Sequence, residues 1–306
     1  MRRLAWMLIA VTALAAPPAA RNARAWIRVP MSASGAPMAA RELKASIDGV
    51  GARVAALRAP GDDMILMLVL DLTGDLSLAD LARQALTEGL QTLPPKTWIS
   101  VLRAQDGLQV LLDPTPDRAK VADTVRACAV SGKAGLLDSI DTAARLSDAI
   151  LARANVRLAL LYVTDSNIYN YREDFTNPVI NSSDSRDMSR HFPEGLVKDK
   201  ISKLDASLGA RQSPVFIVHL EYRGDRLNEA YQSGLMQLAA TTGGAAVFCR
   251  SATDVGATIA KALETIGSLY SVTVDLPRRA GKNVQVQLEA GDRPLSYRSR
   301  FSLAER

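Results

Sequence analysis

From Met64 onward, two kinds of hydrophobic pattern alternate along the chain. "MILMLVLD" (64–71) is apolar until its final aspartate, as expected for a strand covered on both faces. "SLADLARQALTEGLQTL" (77–93) carries apolar residues at helical spacing until Pro94-Pro95 stops it. "TWISVLRAQ" and "LQVLLDP" flank Asp106-Gly107, a hairpin turn signal. "PDRAKVADTVRACA" predicts a helix with Pro116 near its start, and "LLDSIDTAARLSDAILARA" (136–154) a longer one. "VRLALLYVTD" (156–165) is a second fully apolar strand that ends in aspartate, and "SPVFIVHLEY" (213–222) is a third strand. A helix with a glycine stop (226–244), the short strand "AAVFCR" and a last helix (252–270) complete the series.

This alternation predicts an α/β fold: a doubly wound, mostly parallel sheet with one antiparallel edge pair. Ligands of such sheets sit beyond the carboxyl ends of the strands, where Asp71 and Asp165 both lie. The two ends of the chain read differently. Short strand patterns fall around Ile27–Val29, Leu43–Ile47 and Ala52–Leu57, with Asp48-Gly49 between the last two. "YSVTVDLP", "KNVQVQLEAGD" and "LSYRSRFSL" are alternating strands near the C-terminus. A small β-sandwich is expected from 26–60 and 269–306, with an α/β domain over 61–268 inserted between its halves. The polar stretch 166–195 has no clear period; a functional surface loop and an insertion both remain open.

Composition changes the picture mainly at the N-terminus. Arg2 and Arg3 precede an apolar run from Leu4 to Ala16 and then small residues, the layout of a secretory signal peptide over 1–25. That run is short for a membrane span, so the mature chain is expected in the periplasm or secreted, with no transmembrane span. The formal charge of the whole chain is +5, and removing the four arginines of the leader leaves +1. No basic stripe is interleaved with aromatics, which argues against a nucleic-acid partner. Cys128 and Cys249 are the only cysteines; a disulfide and two buried thiols are both open. His191 and His219 match no zinc spacing, and His219, inside an apolar strand, reads as a satisfied core histidine.

The chemistry to explain is Asp71-Leu72-Thr73-Gly74-Asp75, two carboxylates and a hydroxyl at alternate positions. A metal site, a phosphorylated aspartate and a polar loop are the candidate readings. "AVSGKAGLL" is not a P-loop: Ala127 stands where the first glycine belongs and Ala134 where the magnesium-binding hydroxyl belongs. A magnesium-dependent aspartyl-phosphate phosphatase would use Asp71 as nucleophile. It would also need a later acidic cluster, whereas Asp165 is followed by Ser166 and Asn167. No Gly-x-Ser-x-Gly elbow and no His-Glu-x-x-His helix is present.

Several segments together resemble a von Willebrand factor type A domain. "LVLDLTGDLS" is similar to its Asp-x-Ser-x-Ser start, "SGKAGLLDSI" to its Gly-Gly-Thr-Ala-Leu-x-Asp-Ala-Ile segment and "LALLYVTDS" to its Leu-Leu-Thr-Asp-Gly strand end. "LMQLAATTGGAAVF" resembles the Leu-Ala-x-x-Thr-Gly-Gly stretch before the last strand. The terminal β segments resemble an exported bacterial group, the VWFA-related domain family. The resemblance implies a non-enzymatic module that binds a protein partner, or assembles with one, through a metal-ion-dependent adhesion site at the carboxyl edge. It implies a divalent cation (Mg, Mn or Ca) and a ligand-binding set of Asp71, Thr73, Asp75 and Asp165. Two departures make the motif degenerate: Asp75 stands where a second hydroxyl belongs, and Ala134 where a ligating threonine belongs. A purely structural domain with a dead metal site is the further alternative.

Overall fold

Fourteen strands and six α-helices are described in a computed structural model covering residues 26–171, 193–277 and 280–303. The expected leader and most of the polar stretch 166–195 lie outside the described residues. The strands are β1 (Trp26–Ala33), β2 (Lys44–Ile47), β3 (Val50–Ala52), β4 (Val54–Arg58), β5 (Met64–Asp71), β6 (Thr97–Arg103) and β7 (Gln109–Thr115). They continue as β8 (Arg157–Thr164), β9 (Val215–His219), β10 (Ala246–Phe248), β11 (Tyr270–Asp275), β12 (Asn283–Glu289), β13 (Leu295–Tyr297) and β14 (Arg300–Ser302). The helices are α1 (Leu76–Gly89), α2 (Arg118–Ala127), α3 (Leu136–Arg153), α4 (Pro193–Leu208), α5 (Arg226–Thr242) and α6 (Val255–Gly267).

The central sheet has the order β10-β9-β8-β5-β6-β7. All its pairs are parallel except β6–β7, the hairpin that Asp106-Gly107 predicts. β5 is buried on both faces because its side chains alternate between two cores. Leu66, Leu68 and Leu70 pack with residues of α1, α2 and α6. Met67 and Val69 pack on the opposite face with residues of α3, α4 and α5. No element is assigned to α4 from the sequence, although Val197, Ile201 and Leu208 stand at helical spacing and are buried on one face. The helix expected over 77–93 becomes α1 followed by a 3-10 turn at Leu90–Thr92.

The two ends of the chain pair with each other, in two antiparallel four-stranded sheets of order β13-β1-β11-β4 and β14-β12-β2-β3. Val284, Val286 and Leu288 of β12 point into their shared core while Gln285 and Gln287 face water. The strand expected at Ala52–Leu57 is divided: β3 pairs in one sheet and β4 in the other, with Arg53 between them. Asp48 and Gly49 supply the positive φ angles, 50° and 78°, of the tight turn between β2 and β3.

Buried arginines tie these sheets to the amino edge of the central sheet, where the helices end. Arg28 of β1 donates to the carbonyls of Leu151 and Ala154 at 2.9 Å each and of Val156 at 3.2 Å, closing the C-terminus of α3. Arg298 donates to the carbonyls of Gly209 and Arg211 just past α4. Within the central unit Arg157, at the start of β8, does the same for α6, donating to the Gly267 and Leu269 carbonyls and to the Asp62 carbonyl. Each guanidinium meets the negative end of a helix dipole and fills carbonyls that the helix leaves open. The opposite, carboxyl edge of the central sheet is left for the site.

Candidate functional site at the carboxyl edge

Asp71 is the last residue of β5 and lies in register with Thr164 of β8. Asp165 follows β8 directly, so both aspartates lie at the sheet's carboxyl end. Asp71 is fully buried. Its Oδ1 accepts the Gly135 N–H at 2.9 Å, and its Oδ2 accepts Leu136 N–H at 3.2 Å, Thr164 Oγ1 at 3.2 Å and Ser166 Oγ at 3.0 Å. Two of these donors are backbone groups at the start of α3. Gly135 lets that helix come close, because a Cβ there would stand 1.8 Å from the Ala104 carbonyl oxygen. Burial pushes the Asp71 carboxyl up to about 6, with the four donors pulling the other way.

Asp165 is used in the reverse sense. Its Oδ1 accepts Thr73 N–H at 2.6 Å and Thr73 Oγ1 at 3.0 Å, and its Oδ2 accepts Gly74 N–H at 3.3 Å and Asp75 N–H at 3.1 Å. The aspartate of β5 thus holds the β8 and α3 ends, and the aspartate after β8 holds the loop after β5. Asp75 lends its backbone N–H to this arrangement, but its carboxylate caps α1 by accepting Leu78 N–H at 3.0 Å. Ala134 is buried, with its N–H on the Asn170 carbonyl at 2.8 Å.

Behind Asp71 lies a buried layer of hydroxyls. Ser166 Oγ is 3.4 Å from the Tyr231 hydroxyl, which is 2.8 Å from that of Tyr171, and the latter accepts Leu137 N–H. His219 is a buried core histidine, as expected. Its Nε2 donates to the Ser166 carbonyl at 2.7 Å and its Nδ1 accepts Glu221 N–H at 3.3 Å, which sets a neutral ring. Burial lowers its pKa to about 4. Cys128 and Cys249 are both free and buried.

Of the four expected site residues, Thr73 and Asp165 meet, Asp75 joins them only through its backbone, and the Asp71 carboxylate is held by a separate set of donors at the neighbouring strand end. Thr164, Ser166, Gly135 and Asn170 belong to the site although the motif comparison does not name them. Thr164 and Ser166 carry a signal, since they flank Asp165 and a strand turns alternate residues to one side. Gly135 and Asn170 carry none. A carboxylate offers about four acceptor positions. Asp165 takes four donors, and Asp71 takes the Gly135 and Leu136 N–H groups and lies beside the Thr164 and Ser166 hydroxyls, which also share a hydrogen bond with each other at 2.6 Å. Among the described residues no group of three or more His, Cys, Asp or Glu is placed to hold a metal ion. The residues as arranged do not fit a resident divalent cation.

The rim at this edge exposes apolar and aromatic side chains among the charged Asp75, Lys133, Asp225 and Arg226. Leu76, Tyr169 and Tyr222, on the segments that follow β5, β8 and β9, are 64%, 55% and 45% exposed. Tyr169 donates its hydroxyl to Asp225 at 3.0 Å, and Tyr222 stands edge-on to Phe248 at 6.4 Å.

A parallel sheet closed by one antiparallel edge strand, with helices on both faces and aspartates at its carboxyl edge, is the arrangement that the resemblance to a von Willebrand factor type A domain implies. Among solved structures the chain is similar to a von Willebrand factor type A protein from Catenulispora acidiphila. The two are 12% identical with TM-score 0.48, over 92% of this chain and 74% of that one. It is also similar to the corresponding domain of the type V pili tip protein Mfa5 from Porphyromonas gingivalis, at 12% identity and TM-score 0.45, over 67% and 95% of the two chains. A third similar structure is proximal thread matrix protein 1 from the mussel byssus, with zinc in its adhesion motif. It is 11% identical with TM-score 0.46, and the match spans 73% of this chain and 49% of that one. No family model matches the chain, and a search of curated proteins gives no match.

Proposed function

We propose that this chain is an exported, non-enzymatic module that binds or assembles with a protein partner through the carboxyl edge of its α/β sheet. The observation that carries this reading is a rigid edge bearing exposed side chains: the two carboxylates lock the loops, and Leu76, Tyr169 and Tyr222 stand above them. Tyrosines on a rigid frame give large contact area at small entropic cost, which is why they concentrate at interfaces. Export rests on the leader pattern of residues 1–25. The phosphatase alternative is disfavoured because Asp71 has no exposed surface and both its oxygens are engaged, so it is not placed to attack phosphorus.

Site-specific photo-crosslinking of the full chain in its host envelope tests the reading. A crosslinker at Tyr169 or Tyr222 is expected to trap a discrete protein, and one at Val50, on the terminal sheets and 60% exposed, is not. The reverse pattern would assign the contacts to the terminal sheets and leave the carboxyl edge silent. Turnover of any member of a phosphoester panel, lost in Asp71→Asn, would restore the enzyme reading.

A further inference from the structure

The two carboxylates that a metal-dependent edge would use for its cation are here spent on each other's loops. We propose that this edge is held together without a divalent cation, its place taken by the reciprocal hydrogen bonds of Asp71 and Asp165. The inference rests on the reading of this edge as the binding surface, and it adds that recognition there is cation-independent.

Three features carry it. Acceptor capacity is the first. Asp71 takes the Gly135 and Leu136 N–H groups and a proton from the linked Thr164–Ser166 hydroxyl pair, and Asp165 takes Thr73 twice, Gly74 and Asp75. A cation binding between them would have to displace these donors, and orphaning the buried Gly135, Leu136, Thr164 and Ser166 groups opposes its entry.

Geometry is the second feature. The Asp75 carboxylate is turned to the start of α1, where it serves Leu78, and Ala134 offers a methyl group at the start of α3. Of the neutral oxygens, Thr73 Oγ1 already lies 3.0 Å from Asp165 and 3.5 Å from Asn170 Oδ1.

Connectivity is the third. An ion at such an edge would join the loop after β5, the start of α3 and the end of β8. The hydrogen bonds join these same segments: Asp71 links β5 to α3 and to β8, and Asp165 links β8 to the loop at Thr73–Asp75. The edge is therefore preformed, and a partner has no open coordination position to fill with a carboxylate of its own. It meets the exposed side chains of the rim instead, Leu76, Tyr169 and Tyr222 among them.

The test uses the full chain and the ions alone. Thermal unfolding is followed in EDTA and in Mg²⁺, Mn²⁺, Ca²⁺ or Zn²⁺, beside calorimetric titration with each ion and beside Thr73→Val, which removes the hydroxyl and keeps the N–H. Occupancy at a hundred times the dissociation constant would raise Tm by roughly 4–10 °C for a chain of this size. The expected result is a shift below about 1 °C with every ion, no saturable heat, and a Thr73→Val change that is the same in EDTA as in each ion. A saturable rise that Thr73→Val abolishes would overturn the proposal, as would a titration with one site per chain. Because no partner is present, this outcome is separate from the crosslinking test. A metal-binding edge that still traps a partner sinks this inference alone, and a metal-free edge that traps none sinks the binding reading alone.

Discussion

Replacing Arg28 by methionine removes the guanidinium and keeps most of the apolar stem, so it isolates the hydrogen bonds that fasten β1 to the end of α3. Arg28 is buried, and its guanidinium serves three main-chain carbonyls, those of Leu151, Ala154 and Val156. Burial and the nearby Arg58 lower its pKa, yet an arginine remains charged at neutral pH. Hydrogen bonds from a charged donor contribute about 1.5–3 kcal/mol each, and they do not add fully when one group makes them all. Breaking such a buried cluster by removing one side costs about 3–5 kcal/mol, the loss expected for Arg28→Met. Arg28→Lys keeps the charge but not the fork and is expected to recover less than half of it. The assay is urea unfolding followed by far-ultraviolet circular dichroism and by tryptophan fluorescence. Trp26 stacks on the guanidinium at 4.8 Å and, in a Trp98→Phe background that silences β6, reports on the terminal sheets. Both signals should move together to a lower midpoint, since the seam couples the terminal sheets to the helices. A loss below about 1 kcal/mol would refute the reasoning. So would two separated transitions in which only the fluorescence moves.

The buried ionisable pair makes opposite contributions to pH dependence. Asp71, raised to about 6 from an ordinary value near 4, stabilises the fold most below pH 4 and loses that contribution as pH rises through 6. His219, lowered to about 4, contributes stability above about pH 6.5 that is lost as pH falls toward 4. The wild-type urea midpoint should therefore change little between pH 4 and 6. In Asp71→Asn it should climb by the equivalent of about 3 kcal/mol over pH 4–6.5, and a flat curve would contradict the assignment. Gly135→Ala drives a Cβ into the Ala104 carbonyl and is expected to cost at least about 2 kcal/mol; an unchanged Tm would show that α3 can retreat freely. Cys128 and Cys249 should react with a thiol reagent only on unfolding, so two rapidly labelled thiols in the native protein would contradict their burial.

Local pattern alone was enough for the class of fold. The apolar runs that end at Asp71 and Asp165 mark two central strands, since residues that alternate between two covered faces are all hydrophobic. The turns at Asp48-Gly49 and Asp106-Gly107 follow from backbone angles that few other residue pairs tolerate. The resemblance to a von Willebrand factor type A domain pointed to the carboxyl edge of the sheet, where Asp71 and Asp165 lie. Tertiary structure decided what its residues do. Asp75, a candidate ligand by position, is a helix cap because α1 begins one residue later. Asp71 and Asp165 receive donors from segments 64 to 95 residues away in the chain, through a register that no local period specifies. Arg28 looks like an ordinary strand residue until β1 is laid across the end of α3. Periodicity tells which face of an element is buried, while the partner of a buried polar group is set by which segments the packed core brings together.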